Sequence, residues 1–228
     1  RGVHAGVNRA VWNLRWQGAE PIPGQAQIGG RGGGGPQGPA AVPGTYTATL
    51  TVGSTQLSKN FTVRGDPNVM ASQEVYNERF TAAMRARDLE MRLNEMIGTI
   101  YDLDGQIDRL LASIEDKELS NEAEVRATAG EAQAQLTVLG NEVRRPAGSM
   151  GYRDWPRLIE QLSRVVRSMS SVQARPTVGQ LEVMTEIETA AAQRANELSD
   201  IVSGVIADLN DLLSEAPIII TNWRRTVS

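Results

Sequence analysis

From residue 66 onward the apolar positions follow a helical period. Leu89, Leu93, Met96, Ile100, Leu103, Ile107, Leu110 and Ile114 are spaced alternately by four and by three, which puts them on one stripe of a helix predicted over about residues 72–117. Such a helix would be roughly 65–70 Å long, with Gly98 and Gly105 as points where it could bend. A second stripe, Val125, Ala129, Ala132, Leu136, Leu139 and Val143, predicts a helix over 120–143 that stops before Arg145-Pro146. A third, Leu158, Leu162, Val165, Met169 and Val172, follows Asp154 as N-cap and predicts a helix over 155–174. Thr177 with Gln180 has the spacing of a capping box. It opens a fourth helix, over 178–214, with Leu181, Met184, Ala191, Ala195, Leu198, Val202, Val205, Leu209 and Leu212 on its stripe. Four one-sided helices joined by short breaks bury every stripe most simply as an elongated, mostly antiparallel four-helix bundle, with a dimeric coiled coil as the rival arrangement.

Before residue 66 the period changes to two. Ala10, Trp12, Leu14 and Trp16 alternate, with Val11 as the exception, and predict a strand with one packed face that Trp12 and Trp16 share. Residues 17–43 hold five prolines and a glycine run from Gly29 to Gly35 interrupted by Arg31, too few apolar side chains to offset the entropy of ordering. Alternation resumes at Tyr46, Ala48, Leu50 and Val52, with Thr45, Thr47, Thr49 and Thr51 on the opposite face. Gly53-Ser54 suits a two-residue hairpin turn. The returning strand offers Leu57, Phe61 and Val63, with Lys59 as a misfit. The fold class expected is therefore α+β in separate modules: a small antiparallel β module over 1–65, a helical bundle over 66–216 and a tail over 217–228.

Charge divides at the same boundary, the Gly65-Asp66-Pro67 breaker. The net charge of −4 is the sum of six basic residues against Glu20 alone before residue 66 and 17 basic against 26 acidic residues after it. A mild total thus conceals a +5 module joined to a −9 module. No overall positive charge argues for nucleic acid. The absence of cysteine excludes thiol chemistry, disulfides and cysteine-ligated metal. No apolar run approaches the roughly 20 residues that span a bilayer.

Residues 6–15, Gly6-Val7-Asn8-Arg9-Ala10-Val11-Trp12-Asn13-Leu14-Arg15, together with Val42-Pro43-Gly44-Thr45-Tyr46-Thr47-Ala48-Thr49-Leu50-Thr51-Val52 and Asp66-Pro67, resemble the C-terminal region of large secreted bacterial proteins. These carry sortilin-like or BNR-repeat β-propellers, glycosyl-hydrolase-like or photosystem-assembly-factor-like. In that family an Ig-like, FlgD-type β module precedes a helical tail of about this length, so the resemblance covers most of the chain. The propeller is missing here, with no Ser-x-Asp-x-Gly repeat, and no glycosidase activity carries over. The chain starts at Arg1, as expected of a processed product or of a sequence read only where it was ordered. The resemblance implies an Ig-like reading of the β module and a periplasmic or secreted setting. It also implies partners among the protein subunits of a membrane complex, of the photosynthetic kind.

Chemistry is sparse. His4 is the sole imidazole, so a catalytic triad or a multi-histidine metal site would depend on a residue beside the terminus. Asp102, Asp104, Gly105 and Asp108 have the opening of a calcium loop, but Ser113 stands where its twelfth ligand would be, and a solvated helix face fits better. The glycine run lacks the Gly-Lys-Ser/Thr of a phosphate cradle. Glu115-Asp116 and Glu186 with Glu188 have no spacing that singles out an acid/base couple, and Asn60-Phe61-Thr62 is a glycosylation sequon without meaning in a bacterial setting. No catalytic residue, cofactor or metal is expected.

Interaction features are richer. Trp12 and Trp16 form a core or partner-facing patch; Trp223 with Arg224 and Arg225 makes a cluster typical of interface anchors and of membrane–water boundaries. Arg31 joins these arginines as a candidate for peripheral attachment. About three strands cannot close a sandwich, so something must cover the sheet. Ile218, Ile219 and Ile220, before Thr221, are β-prone and are expected either to pair with an open sheet edge or to pack on the bundle. The function expected is a non-catalytic, extracytoplasmic scaffold or stabilising subunit of a larger assembly. The alternatives are the accessory module of a secreted propeller hydrolase and a carbohydrate-binding module.

Overall fold

The structure is a computed structural model that describes residues 6–22, 37–115, 120–146, 148, 154–171 and 173–213. Its elements are strands β1 (Arg15–Gln17), β2 (Gln37–Ala40), β3 (Gly44–Val52) and β4 (Thr55–Val63), then helices α1 (Gln73–Ile114), α2 (Glu122–Val143), α3 (Leu158–Ser170), α4 (Val178–Ser203) and α5 (Val205–Leu212). It is α+β, with two small antiparallel sheets and a mainly helical remainder.

Each sheet has two strands, β1 with β2 and β3 with β4, and no hydrogen bonding joins the two sheets. The Ig-like sandwich that the resemblance implied is not formed among the described residues. The first strand is shorter than the alternation from Ala10 predicts. Leu14 sits at φ 58°, in the left-handed region, so the chain turns there and regular pairing covers only Arg15 to Gln17. The β3–β4 hairpin follows its pattern: Gly53 takes φ 59° in the turn, and the register runs from Gly44 opposite Val63 to Val52 opposite Thr55. Tyr46 faces Phe61, Leu50 faces Leu57 and Lys59 faces Ala48 on one side. On the other, Thr47 donates to Asn60 at 2.9 Å and Thr49 bonds Ser58 at 3.0 Å.

The helices match the apolar period closely. Ser72 caps α1, its hydroxyl accepting from the Val75 amide at 3.4 Å. All eight residues of the α1 stripe and all six of the α2 stripe are buried in one core, which also holds Leu158, Leu162, Met184, Leu198 and Leu209. Val172 lies outside the described residues. Thr177 and Gln180 close the expected capping box, at 2.9 and 3.2 Å. Three boundaries differ, the first being that α3 ends at Ser170 rather than 174. α3 begins at Leu158 rather than 155, because Pro156 disfavours helix at the residue before it and Glu160 instead takes the Arg157 amide at 2.9 Å. The helix expected over 178–214 is interrupted at Gly204, which leaves α5 as a separate segment.

Contacts between helices give the arrangement. Gln133 donates to Asp104 and Asp108, at 3.1 and 2.8 Å, while Gly140 lies against Ile100, so α2 runs antiparallel along the second half of α1. Arg175 just beyond α3 reaches back to Glu74 and Glu78, and Arg79 bonds Gln173, so α3 continues down the first half. α4 and α5 then run back beside them: Arg85 meets Glu188, Arg194 meets Glu142, and Asn121 donates to the Leu212 carbonyl at 2.8 Å. α2 and α3 therefore lie in series rather than side by side, and the rod is three helices thick. Length explains this, since the 42 residues of α1 span about 63 Å and the 22 and 13 residues of α2 and α3 together span about 53 Å.

The β region docks on the first half of α1. Trp16 packs on Phe80 with ring centroids 5.6 Å apart, Gln73 donates to the Pro43 carbonyl at 3.0 Å, and the buried Asn94 donates to the Glu20 carbonyl at 2.7 Å. Only β2 among the strands makes close backbone contact with a helix, and β4 reaches the helices at its end, where Val63 lines a cleft with Tyr76 and Phe80.

Candidate interaction surfaces

The predicted tryptophan patch is not a single patch. The turn at Leu14 sends the two rings to different places. Trp12 lies on the hairpin, 5.2 Å from Tyr46 and 6.1 Å from Phe61 between centroids, and its indole N–H donates to the Arg15 carbonyl at 2.8 Å. Trp16 is carried to α1. Trp12 therefore covers the base of the hairpin's apolar face and nothing in the described structure covers its outer half, where Leu50, Val52 and Leu57 are 53%, 56% and 64% exposed. Among the described residues each strand pairs only with its neighbour, which leaves both nine-residue outer edges unpaired there as well. An exposed apolar face with two free edges is a surface natural proteins seldom leave bare.

A cleft of about 580 Å³ lies where β2, the strand end at Val63 to Asp66, α1 and α3 converge. Phe80, Ala83, Val166 and Met169 give it an apolar wall, and Arg15, Arg79, Arg87 and Glu90 its polar groups. Three of its guanidinium groups are engaged, Arg15 with the Gly38 carbonyl at 3.0 Å, Arg79 with Gln173 and Arg87 with Asp88, and Arg64 lines the cleft as well. Burial in this wall pushes the Glu90 carboxyl above its ordinary range.

At the far end of the rod a larger, open groove of about 1140 Å³ runs between α2 and the α4–α5 pair. Its floor includes Val138, 62% exposed, with Leu139, Ile201 and Val205. Seven carboxylates line it against one base, Arg194, which is held by Glu142 and Glu197.

Several sequence candidates resolve as ordinary helix surface. Asp102 accepts from Gln106 at 2.8 Å, and Asp104 and Asp108 hold Gln133, so the calcium-like run joins α1 to α2. Glu188 grips Arg85 through both carboxylate oxygens, at 2.7 and 2.6 Å, and that hydrogen bonding raises the Arg85 guanidinium above its ordinary value against the opposing effect of burial. Among the described residues no three His, Cys, Asp or Glu side chains gather to hold a metal ion, and no helix is long and apolar enough to cross a membrane. His4, Arg31, Asp116, Ile218, Ile219, Ile220, Trp223, Arg224 and Arg225 lie outside the described residues.

Sequence reasoning missed Trp155. It is 84% exposed, on the link between α2 and α3, and Arg145 holds that link by donating to the Asp154 and Trp155 carbonyls at 2.6 and 3.2 Å. The signal was present in Pro156, which takes the preceding residue out of the helix. The acidic groove was missed too, because its two walls come from helices that meet only in the fold. The chain matches no protein-family model, no curated protein and no solved structure.

Proposed function

We propose that the chain is a non-catalytic interaction subunit that presents its β hairpin to a protein partner and holds it at one end of a helical rod. The observation that carries this reading is the outer half of the hairpin, uncovered among the described residues: Leu50, Val52 and Leu57 stand on one face, beside two unpaired strand edges, on an element whose backbone approaches no helix closely. Three solvated apolar side chains are costly for a monomer, at about 25 cal/mol per Å² of apolar surface that a partner could remove from water. The outer edges offer main-chain hydrogen bonds that a partner strand can complete. The resemblance of residues 6–15 and 42–52 supplies the setting, an extracytoplasmic assembly such as the periplasmic face of a membrane complex of the photosynthetic kind. The scaffold role and that location stand on the motifs and the bare hairpin together.

The test is native purification followed by mass spectrometry of the intact assembly, for the parent chain and for Leu50→Lys with Leu57→Glu. Both positions are exposed and face each other across the hairpin, so opposite charges there remove the apolar face while favouring the same register. A protein partner held in fixed stoichiometry by the parent and lost from the variant is the expected result. A parent recovered alone, or a variant that retains every partner, sinks the reading. Recovery inside one long propeller chain would instead make this region the accessory module of a secreted hydrolase.

A further inference from the structure

We infer that the chain's own C-terminal segment, residues 217–228, docks in the acidic groove between α2 and the α4–α5 pair as a basic, amphipathic strap. This goes beyond the hairpin reading and does not depend on it.

Position, reach and chemistry all point to this occupant. The described chain stops at Leu213, one residue beyond Leu212, which itself lines the groove, and Asn121 fixes that end of α5 to the start of α2 through the Leu212 carbonyl. The groove extends along α2 from Glu124 to Glu142, about 27 Å at the helical rise. Fifteen residues follow Leu213, which reach up to about 50 Å when extended. The segment can therefore fold back along the whole groove without strain.

Its side chains answer the groove's. Ile218, Ile219, Ile220 and Trp223 are the apolar residues that a floor of Val138, Leu139, Ile201 and Val205 would accept. Arg224 and Arg225 are the cations, and Glu215 is the single acid after Leu213. Arg194 cannot neutralise the walls alone, because its guanidinium is already shared between Glu142 and Glu197. Two arginines among Glu131, Asp200, Asp208 and Asp211 would relieve like-charge repulsion between facing helices, while the tryptophan and isoleucines remove Val138 from water. The opposite end of the rod is a poorer destination, since the hairpin base is tied to Gln73 at the start of α1, about 60 Å from the end of α5.

The chain has no cysteine, so Val138→Cys with Trp223→Cys introduces one thiol pair into the full-length protein. Tyr101→Cys with Trp223→Cys is the control, at a comparable height on α1 but outside the groove. The expected result is an intrachain disulfide forming about tenfold faster or more in the groove pair than in the control, because docking raises the local concentration. The advantage should shrink in 1 M salt and vanish when Arg224→Glu and Arg225→Glu are added. In parallel, hydrogen exchange in the full-length variant Trp223→Ser, Arg224→Glu, Arg225→Glu should be several-fold faster than in the parent at α2 amides beside the groove. Equal disulfide rates in the two pairs, or unchanged exchange in the triple variant, would overturn the proposal. So would crosslinks formed only between chains, which would assign the segment to a second copy.

Discussion

Adding a single methyl group at Gly38 should force β1 away from β2. A β-carbon there would sit 2.1 Å from the Trp16 carbonyl oxygen and 2.5 Å from the Gln17 carbonyl carbon and oxygen. An ordinary carbon–oxygen contact is about 3.3–3.6 Å, so the two strands must separate by more than ~1 Å. The obstacle is backbone, not a flexible side-chain end, and no rotamer relieves it. That separation breaks the short ladder between Arg15 and Ala40, the 2.8 Å bond from the Ala41 amide to the Leu14 carbonyl and the 3.0 Å bond from Arg15 to the Gly38 carbonyl. With about 1 kcal/mol for each hydrogen bond and about 1–3 kcal/mol for overpacking, Gly38→Ala should cost on the order of 3–5 kcal/mol locally. The helical core shares none of these contacts, so the loss stays local: helical circular dichroism and its melting should barely move. Amide exchange at residues 15–17 and 38–41 should accelerate by a factor of ~100 or more, and Trp16 emission should shift red as the ring leaves Phe80. Gly44→Ala is the control, because its β-carbon would meet nothing nearer than the Val42 carbonyl oxygen at 4.0 Å. If Gly38→Ala exchanges like the control, the close approach of these strands is wrong.

Two further outcomes follow from the same geometry. Gly130 lies in the middle of α2, and a β-carbon there meets nothing within 4 Å, so Gly130→Ala should stabilise the helical core by about 0.8–1 kcal/mol in denaturant unfolding followed at 222 nm; a destabilised variant would contradict the open surface. Burial raises the Glu90 carboxyl in the folded state, so its ionised form costs stability above the folded pKa, and the cost disappears as pH falls through that value toward the ordinary 4.5. Glu90→Gln should therefore be more stable than the parent at pH 7, with the difference narrowing by pH 4; a gap that is constant with pH would show the carboxyl to be well solvated.

The helical part was legible because each stripe is local and long. The spacing from Leu89 to Ile114 covers about seven turns, and no register other than one helical face accommodates it. What failed depended on single backbone conformations or on packing between distant elements. The alternation from Ala10 to Trp16 is broken by one left-handed residue, Leu14, a conformation that leucine rarely adopts and that nothing in the residue type announces. That one dihedral decides whether Trp12 and Trp16 share a face. Likewise, Glu131 on α2 and Asp208 on α5 each occupy the solvated side of their own helix, as any amphipathic pattern would place them. Only the antiparallel return of α4 and α5 beside α2 turns two solvated stripes into a groove. The hairpin shows both limits together: its register was legible residue by residue, and its lack of a cover was not.

The charge asymmetry of the sequence becomes spatial in this fold, and that changes what it can do. A basic β module and an acidic helical module could neutralise one another if they met over their full extent. Among the described residues they meet along the first half of α1 and at α3, where Trp16, Asn94 and Gln73 make the direct contacts and charged groups of both modules line the cleft. The acidic groove of α2, α4 and α5 lies toward the other end of a helix about 63 Å long. Screening at physiological salt acts over about 8 Å, so the module's described basic residues, Arg9, Arg15, Lys59 and Arg64, give the groove no effective counter-charge. Glu131, Asp200, Asp208 and Asp211 must therefore be balanced by salt, by another molecule or by cations nearer in the chain. Arg224 and Arg225 are the only basic residues that follow Leu213 in the sequence, and they are also the ones tethered to the groove's own end. If the tail answers the groove as we infer, the apolar-faced hairpin is the surface left for the protein partner that we propose.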